Sequence, residues 1–328
     1  MKGEHPAIAI GFGLNGSTAE AGRGREVLLR PDSVDHLLES LKKQWKRYRR
    51  ELRLCQKHFS AEAVHRSRVA TRRLLSAVEL LAALLPPGEV EKARRALKRH
   101  LDVFGDLRDT QVQLVAVGSL PRRFAAAPVF RAYLRKREAR FSKRTRKAIK
   151  RVKTKRLGEL IAALRTEATA RAQEHPPAVL ATRLLRQVNK AFSRTVKLRS
   201  RITPQDPRTI HSTRVAFKQF RYMVEALAHD LRGISPALLE AMHDYQTMMG
   251  NIQDNEVLLQ VFDKFAAREK VTPELAEPSR GELELRRQRL IEKFLGSADQ
   301  LLQFWVPAGV RRSAGRPGPQ QPRRNAAR

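Results

Sequence analysis

The sequence has little that would support a secreted or membrane-spanning protein. It contains one cysteine, Cys55, in 328 residues, so no internal disulfide can form and the chain fits a reducing cytosol. No apolar run reaches the roughly 20 residues that a membrane span needs. The apolar stretch at residues 7–12 is short and interrupted by glycine, which argues against a signal peptide. We therefore expect a cytoplasmic protein with no membrane association.

Acidic and aromatic residues are also scarce. Asp and Glu total 33 against 66 Lys and Arg, which gives a formal net charge of +33. Self-repulsion of this size opposes compaction, and it indicates a polyanionic partner. Phe, Tyr and Trp make up only 6% of the chain, and Trp45, Tyr48 and Phe192 occupy the apolar seams of predicted helices. Sequence-tolerant binding of single-stranded nucleic acid requires exposed aromatic side chains, so that mode is disfavoured, whereas binding of an RNA or DNA duplex stays open.

Apolar residues recur at the alternating three- and four-residue spacing of helices in bundles, so we predict an all-α fold. Ser33 and Ser60 are expected to cap the first two helices. A third helix is expected to begin near Glu89 and to break around Gly105, and a fourth starts at Asp109. The pattern then predicts one very long helix over residues 128–174 and further helices at 178–202, 208–232, 236–250, 254–270 and 273–304.

Four segments follow from this pattern. Residues 1–32 are an N-terminal extension in which residues 26–30 look extended. Residues 33–175 and 178–305 are two helical repeats, and residues 306–328 are an Arg/Pro/Gly-rich tail that we expect to be disordered. Only six of the 33 net positive charges lie in this tail, so the charge belongs mainly to the folded part.

The two repeats share a duplicated motif. His65-Arg66-Ser67-Arg68-Val69-Ala70-Thr71-Arg72 recurs as His211-Ser212-Thr213-Arg214-Val215-Ala216-Phe217-Lys218, at an offset of 146 residues. An upstream match at an offset of 147 and a downstream match of residues 105–109 with residues 250–254 at 145 keep the same order. Three matches at nearly one offset indicate an internal duplication, and we predict two pseudo-symmetric four-helix bundles.

These motifs together resemble the CHAD family (conserved histidine α-helical domain). The pattern H-x-x-R-V-A-x-[RK] is followed by R-Y-x-x-E at residues 221–225 and by G-x-[LI]-x-D, and the similarity extends over roughly residues 26–305. The resemblance implies a two-bundle helical protein that binds inorganic polyphosphate and can associate with polyphosphate granules. The first repeat departs from the pattern at Leu75-Ser76, where the second repeat has Arg221-Tyr222.

Helical spacing places the basic residues of each motif on one helix face, in register with basic residues of the preceding helix. We expect one cationic groove in each bundle, where arginine forks across phosphate oxygens and lysine acts as a mobile charge. The spacing leaves open whether the two grooves join. A basic stripe also fits a solvated helix face, above all at Arg50 and Lys197. The predicted polyphosphate-binding residues are Lys43, Arg47, Arg50, His65, Arg68, Arg72, Lys190, Arg194, Lys197, His211, Arg214, Lys218 and Arg221.

Residues 131–156 form a second basic feature, with 14 Lys or Arg and one acid, Glu138. They fit either a long solvated helix or a surface that captures the polyanion and steers it toward the grooves. The motif histidines add an expected pH effect. A phosphate beside His65 or His211 would favour the imidazolium, so that binding tightens as the pH falls through about 6.5.

No metal site, cofactor or catalysis is expected. A metal site of His65 with Asp109, or of His211 with Asp254, would have only two ligands from distant segments, so we expect both aspartates to cap short helices or to orient the arginine rows. Hydrolysis of phosphoanhydrides requires clustered carboxylates that hold metal ions, whereas the expected grooves hold cations. The predicted function is non-catalytic polyphosphate binding by a granule-associated scaffold, with an RNA or DNA duplex as the alternative ligand and weaker competitor.

Overall fold

Ten α-helices carry most of the regular structure in residues 28–306, which the computed structural model describes except for residue 122. The all-α prediction is therefore confirmed. The first repeat contains α1 (Ser33–Lys57), α2 (Ala61–Leu81), α3 (Pro87–Asp102), α4 (Gly105–Gly118), α5 (Ala127–Lys150) and α6 (Lys155–Glu174). The second contains α7 (Pro177–Arg199), α8 (Pro207–Leu227), α9 (Pro236–Arg268) and α10 (Pro273–Leu295).

Two short strands and a 3₁₀ segment complete the described part. β1 (Leu28–Leu29) pairs antiparallel with β2 (Leu231–Arg232), and the 3₁₀ segment covers Ala298–Gln303. The expected extended segment at residues 26–30 thus supplies β1, while the rest of the extension before residue 28 and the tail from residue 307 lie outside the described residues. Within the described ranges, no helix has the length and hydrophobicity to cross a bilayer.

Proline and small polar residues set most helix starts. Proline occupies the first or second position of α3, α7, α8, α9 and α10, where its missing N–H group would have had no helical partner. Ser60, Asp206 and Ser235 cap α2, α8 and α9 by accepting hydrogen bonds from backbone N–H groups. These caps satisfy donors that the helices cannot satisfy themselves.

The predicted helix boundaries are wrong at several places. Ser33 is the first residue of α1 and not its cap, and the helix predicted over residues 273–304 ends at Leu295. The long helix predicted over residues 128–174 is divided into α5 and α6, because Gln56 donates hydrogen bonds to the carbonyls of Ile149 and Val152 at 2.9 and 3.2 Å and so stabilises the end of α5. The break predicted after residue 250 is absent, since one glycine costs a packed helix only about 1 kcal/mol and α9 continues through Gly250. Helix α4 begins at Gly105 instead of Asp109. Helix α8 ends at Leu227, because residues 231–232 pair with β1.

The buried apolar residues form two clusters, and both contain residues from both repeats. The larger cluster contains residues from all ten helices, and Leu41, Leu74 and Phe217 are fully buried in it. The smaller one joins α4 and α5 to α9 and α10 around Phe130 and Phe262. Since neither cluster stops at the repeat boundary, the division into two bundles stays a prediction from the duplication.

A buried hydroxyl connects α5 with α10 across the repeat boundary. Ser279 Oγ accepts a hydrogen bond from the backbone N–H group of Ala126 at 3.2 Å, and both residues are fully buried. Ser279→Ala would leave this N–H group unsatisfied, so we expect the free energy of unfolding in urea to fall by about 1–2 kcal/mol. Ser212→Ala is the control, because the Ser212 hydroxyl is exposed and its loss should change stability by less than about 0.5 kcal/mol. Equal stabilities of the two variants would contradict this role.

Candidate functional site

The motif helices α2 and α8 pack against each other, and this brings basic residues of both repeats together. Lys218 of α8 interacts electrostatically with Arg68 and Arg72 of α2 and with Arg214. Arg214 in turn interacts with Arg72. All four side chains are half-buried. We call Arg68, Arg72, Arg214 and Lys218 the shared cluster; it joins in one place the cations that the sequence assigned to two grooves.

Burial and mutual repulsion both disfavour the charged forms in the shared cluster. Burial lowers the pKa of Arg68 to about 10, with a further contribution from the neighbouring Arg72. Burial also lowers the pKa of Lys218 to about 7, and repulsion from Arg72, Arg214 and Arg68 adds to the shift. Arg68 therefore remains charged at neutral pH, whereas Lys218 titrates there. An anion among these side chains would relieve the repulsion and raise these pKa values again.

Two acids lie at the edge of the shared cluster. Asp109 of α4 interacts electrostatically with Arg68, and Asp254 of α9 interacts with Arg214. Loss of hydration raises the pKa of both carboxyls despite these arginines. Both aspartates lie inside their helices, so the expectation that they cap helices is wrong. Their part in orienting the arginines remains a prediction.

The glycine of the second repeat's G-x-[LI]-x-D motif lies directly beside the shared cluster. A Cβ atom at Gly250 would be 3.6 Å from Arg214 Nε, so the Arg214 side chain runs closely along α9. The Arg214 Nε atom is buried and makes no hydrogen bond within the described residues. A guanidinium with an unsatisfied N–H group is suited to donate a hydrogen bond to an oxygen of a ligand.

The two motif histidines flank the shared cluster and are exposed. Partial desolvation and then the charge of Arg214 lower the pKa of His211, while a hydrogen bond with Gln253 opposes the shift. His211 is therefore harder to protonate than an isolated histidine. Lys218, which the sequence analysis expected to act as a mobile charge, has a pKa of about 7 because burial disfavours its charged form.

Arg221 has an internal role that its place in the motif did not indicate. Its side chain is buried, forms an ion pair with Glu225 and donates a hydrogen bond from Nε to Gln246 at 3.0 Å. The guanidinium also lies 4.6 Å from the ring centroid of Tyr222, and Tyr222 lies near Arg68 and Arg214. Arg221 thus has partners within the protein, and its contact with polyphosphate stays a prediction.

The predicted basic residues of α1 and α7 lie outside the shared cluster. All six are exposed, and within residues 28–306 none forms a hydrogen bond or an ion pair with the shared cluster. Arg50 pairs with the buried Glu51 at 2.7 Å. We call this group the outer cations: Lys43, Arg47, Arg50, Lys190, Arg194 and Lys197.

The basic segment at residues 131–156 is partly engaged in internal contacts. The guanidinium carbons of Arg137, Arg140 and Arg144 lie 5.0–5.1 Å from the centroid of the Phe141 ring. Arg144 also forms an ion pair with Asp106 of α4. These contacts hold part of the basic stripe against the protein, and its role in capturing a polyanion stays a prediction.

Sequence reasoning missed two further basic surfaces. Arg108 of α4 repels Arg68 and lines a cavity of about 310 Å³ that also contains Asp254 and Arg286. Another cavity, of about 370 Å³, lies between α3 and α6, and its lining includes Lys92, Arg95, Arg99, Lys153 and Arg156. The i, i+3, i+7 spacing of the three α3 residues is the signal that would have identified this second surface.

The lowered pKa of Lys218 makes protein stability depend on pH. Because its pKa is about 7 in the folded protein and 10.5 ordinarily, the unfolded state binds more protons between these values, and stability rises with pH across this window. We expect Lys218→Met to raise the free energy of unfolding at pH 7 by about 1 kcal/mol. The gain should shrink toward pH 10, as measured by urea unfolding.

Lys264→Met, on the exposed side of α9, is the matched control and should leave the pH dependence of stability unchanged. A Lys218→Met variant with the wild-type dependence on pH would contradict the desolvation of Lys218.

Solved structures share this fold. The CHAD domain from the plant Ricinus communis aligns with a TM-score of 0.63 at 21% identity, covering 85% of this chain and 94% of that chain. PptA from Streptomyces chartreusis aligns with a TM-score of 0.59 at 19% identity, covering 82% and 99%. No curated protein matches this sequence significantly. These similarities support the fold alone.

The family is shown by a match of the sequence to a family model. The model of the CHAD domain matches residues 29–263, a range that includes both copies of the His/Arg motif and the helices α1 to α8. Because this match covers more than half of the chain and the fold agrees with it, the chain belongs to the CHAD domain family, which has a known association with polyphosphate.

Proposed function

We propose that this protein binds inorganic polyphosphate without catalysis and that the shared cluster is the centre of the binding site. The observation that carries the proposal is the convergence of four half-buried cations from both repeats, where burial and then repulsion from neighbouring cations lower the pKa of Arg68, Arg214 and Lys218. CHAD domains are in general non-catalytic binding domains. A site that is destabilised by its own charge gains most from a ligand of high negative charge density.

A linear phosphate chain matches this charge arrangement. Each phosphate residue carries a negative charge and oxygens that arginine can contact in a bidentate manner. A flexible chain can place successive phosphates between α2 and α8, where a single small anion would neutralise only part of the charge. The outer cations and the basic cavities would hold further phosphates along the chain. Several such contacts on one polymer add avidity, which fits a scaffold on polyphosphate granules.

Nucleic acid is the second candidate, and it fits the shared cluster less well. Among the described residues, the exposed large hydrophobic side chains are Leu and Val only, so stacking platforms for unpaired bases are lacking there. A duplex is stiff, and its phosphates can reach the exposed outer cations more easily than half-buried side chains at a helix interface. We therefore expect duplex RNA or DNA to bind at the outer cations and to compete weakly.

The binding site should be separable from the general basic character of the chain. Arg68→Gln/Arg214→Gln removes two contacts to phosphate, each worth about 1.5 kcal/mol or more, so we expect an affinity loss of about 100-fold. Fluorescence anisotropy with labelled polyphosphate of defined length measures this loss, and circular dichroism verifies the helical content.

Arg165→Gln/Lys264→Gln is the matched control, because it removes the same charge from exposed positions on α6 and α9. It should change the affinity less than about threefold, since distant surface charges are screened by salt. Equal losses in the two double variants would refute the assignment of the site. Displacement of polyphosphate by duplex RNA at equal phosphate concentration would instead favour the nucleic-acid function.

Binding should depend on pH through Lys218. Phosphates beside Lys218 raise its pKa from about 7, so binding above that pH takes up a proton and the affinity falls as the pH rises from 7 to 9. Lys218→Arg keeps the charge across this range and should flatten the pH dependence. His211→Ala should retain it, because partial burial and then the charge of Arg214 lower the pKa of His211. A flat wild-type profile would contradict the role of Lys218.

A further inference from the structure

Three potential metal ligands meet at the corner between the two repeats. His36 lies in the first turns of α1, whereas His229 and Asp230 follow α8 and precede β2. The pairing of β1 with β2 and a hydrogen bond from the Arg30 N–H group to the Asp230 carbonyl, at 3.1 Å, bring these segments together. The ligand atoms of the three side chains all lie within 4.8 Å of one another.

Both imidazoles face the same carboxylate oxygen. His36 Nδ1 is 2.6 Å and His229 Nδ1 is 3.2 Å from Asp230 Oδ1. The two rings meet edge to face, with their centroids 5.3 Å apart. A tetrahedral zinc ion with bond lengths of about 2.0–2.2 Å separates its ligand atoms by roughly 3.4 Å. Lengthening the two distances to Asp230 Oδ1 by less than about 1 Å would therefore give the separations that such an ion requires.

The surroundings of the three ligands match those of a metal centre that keeps an open side. The Asp230 side chain is only 3% exposed, while those of His36 and His229 are 42% and 76% exposed. The buried Asp230 carboxylate thus holds a fixed position, and water can reach a bound ion from the exposed side of the two histidines. The other ring nitrogen of His36, Nε2, faces Asp32 Oδ2 at 3.8 Å. At this distance Asp32 makes no hydrogen bond to His36, but its negative charge favours a cation held beside the ring.

We propose that His36, His229 and Asp230 bind a divalent transition-metal ion of the zinc class. Two imidazoles and one carboxylate suit Zn²⁺ or Co²⁺, whereas Mg²⁺ prefers sites made of oxygen ligands. An ion held here links α1 of the first repeat to the α8–β2 turn of the second, and so stabilises the folded chain. The site is independent of the polyphosphate-binding proposal, because it shares no residue with the shared cluster or the outer cations.

The test is thermal unfolding of the full chain in metal-free buffer without polyphosphate, with Zn²⁺ or Mg²⁺ added. Zn²⁺ should raise the melting temperature, because a ligand that binds only the folded state stabilises it, and Mg²⁺ should not. His229→Ala removes one ligand from an exposed position and leaves the His36–Asp230 pair intact, so the fold survives. It should weaken Zn²⁺ affinity at least 100-fold and remove the visible absorption of tetrahedral Co²⁺.

His243→Ala, which alters an exposed histidine of α9, is the matched control and should bind Zn²⁺ like the wild type. If Zn²⁺ leaves the melting temperature of the wild type unchanged, the proposal is overturned. The two histidines would then only form hydrogen bonds with Asp230. An equal response of His229→Ala and wild type would also overturn it, since Zn²⁺ would then bind elsewhere.

Discussion

Repulsion between half-buried cations at the α2–α8 interface is the constraint on which the proposed function depends. The same two helices bury Leu74 and Leu81 of α2 and Phe217 and Phe220 of α8 in the larger apolar cluster. Burial of these side chains holds the helices together and fixes the neighbouring cations of the two helices at distances where they repel. The apolar core therefore fixes the geometry of the site. Repulsion between the cations of the shared cluster offsets part of the free energy that burial of the core contributes to folding.

The two repeats contribute unequally to this site. In the second repeat, Arg221 is buried and positions Tyr222. At the corresponding positions of the first repeat, Leu75 packs against the apolar cluster and the Ser76 hydroxyl donates to the carbonyl of Arg72 at 3.0 Å. Both arrangements support a wall of the site without offering it a further free cation. The duplication therefore supplied two motif helices, but different side chains support the motif helix in each repeat.

Helical periodicity was enough to predict the helix type, the motif faces and the seam positions, because these depend on neighbours three and four residues apart. It could not predict that Arg68 and Lys218 share one site, since contacts between helices depend on how the repeats pack. Gly250 was misinterpreted as a break because the packing of α9 on both sides outweighs its low helix propensity. The burial of Arg221 and the meeting of His36 with Asp230 also depend on packing over long sequence distances. A sequence pattern does not contain that information.

The central claim is that both repeats act in one polyphosphate-binding site. Isothermal titration of a short polyphosphate of defined length into the wild type and into Arg68→Ala and Arg214→Ala, each alone, tests this claim directly. One shared site predicts a single class of binding with one chain bound per protein and weaker affinity in either variant at the same stoichiometry. Two classes of sites in the wild type, with each variant losing one and keeping the other at full affinity, would contradict it.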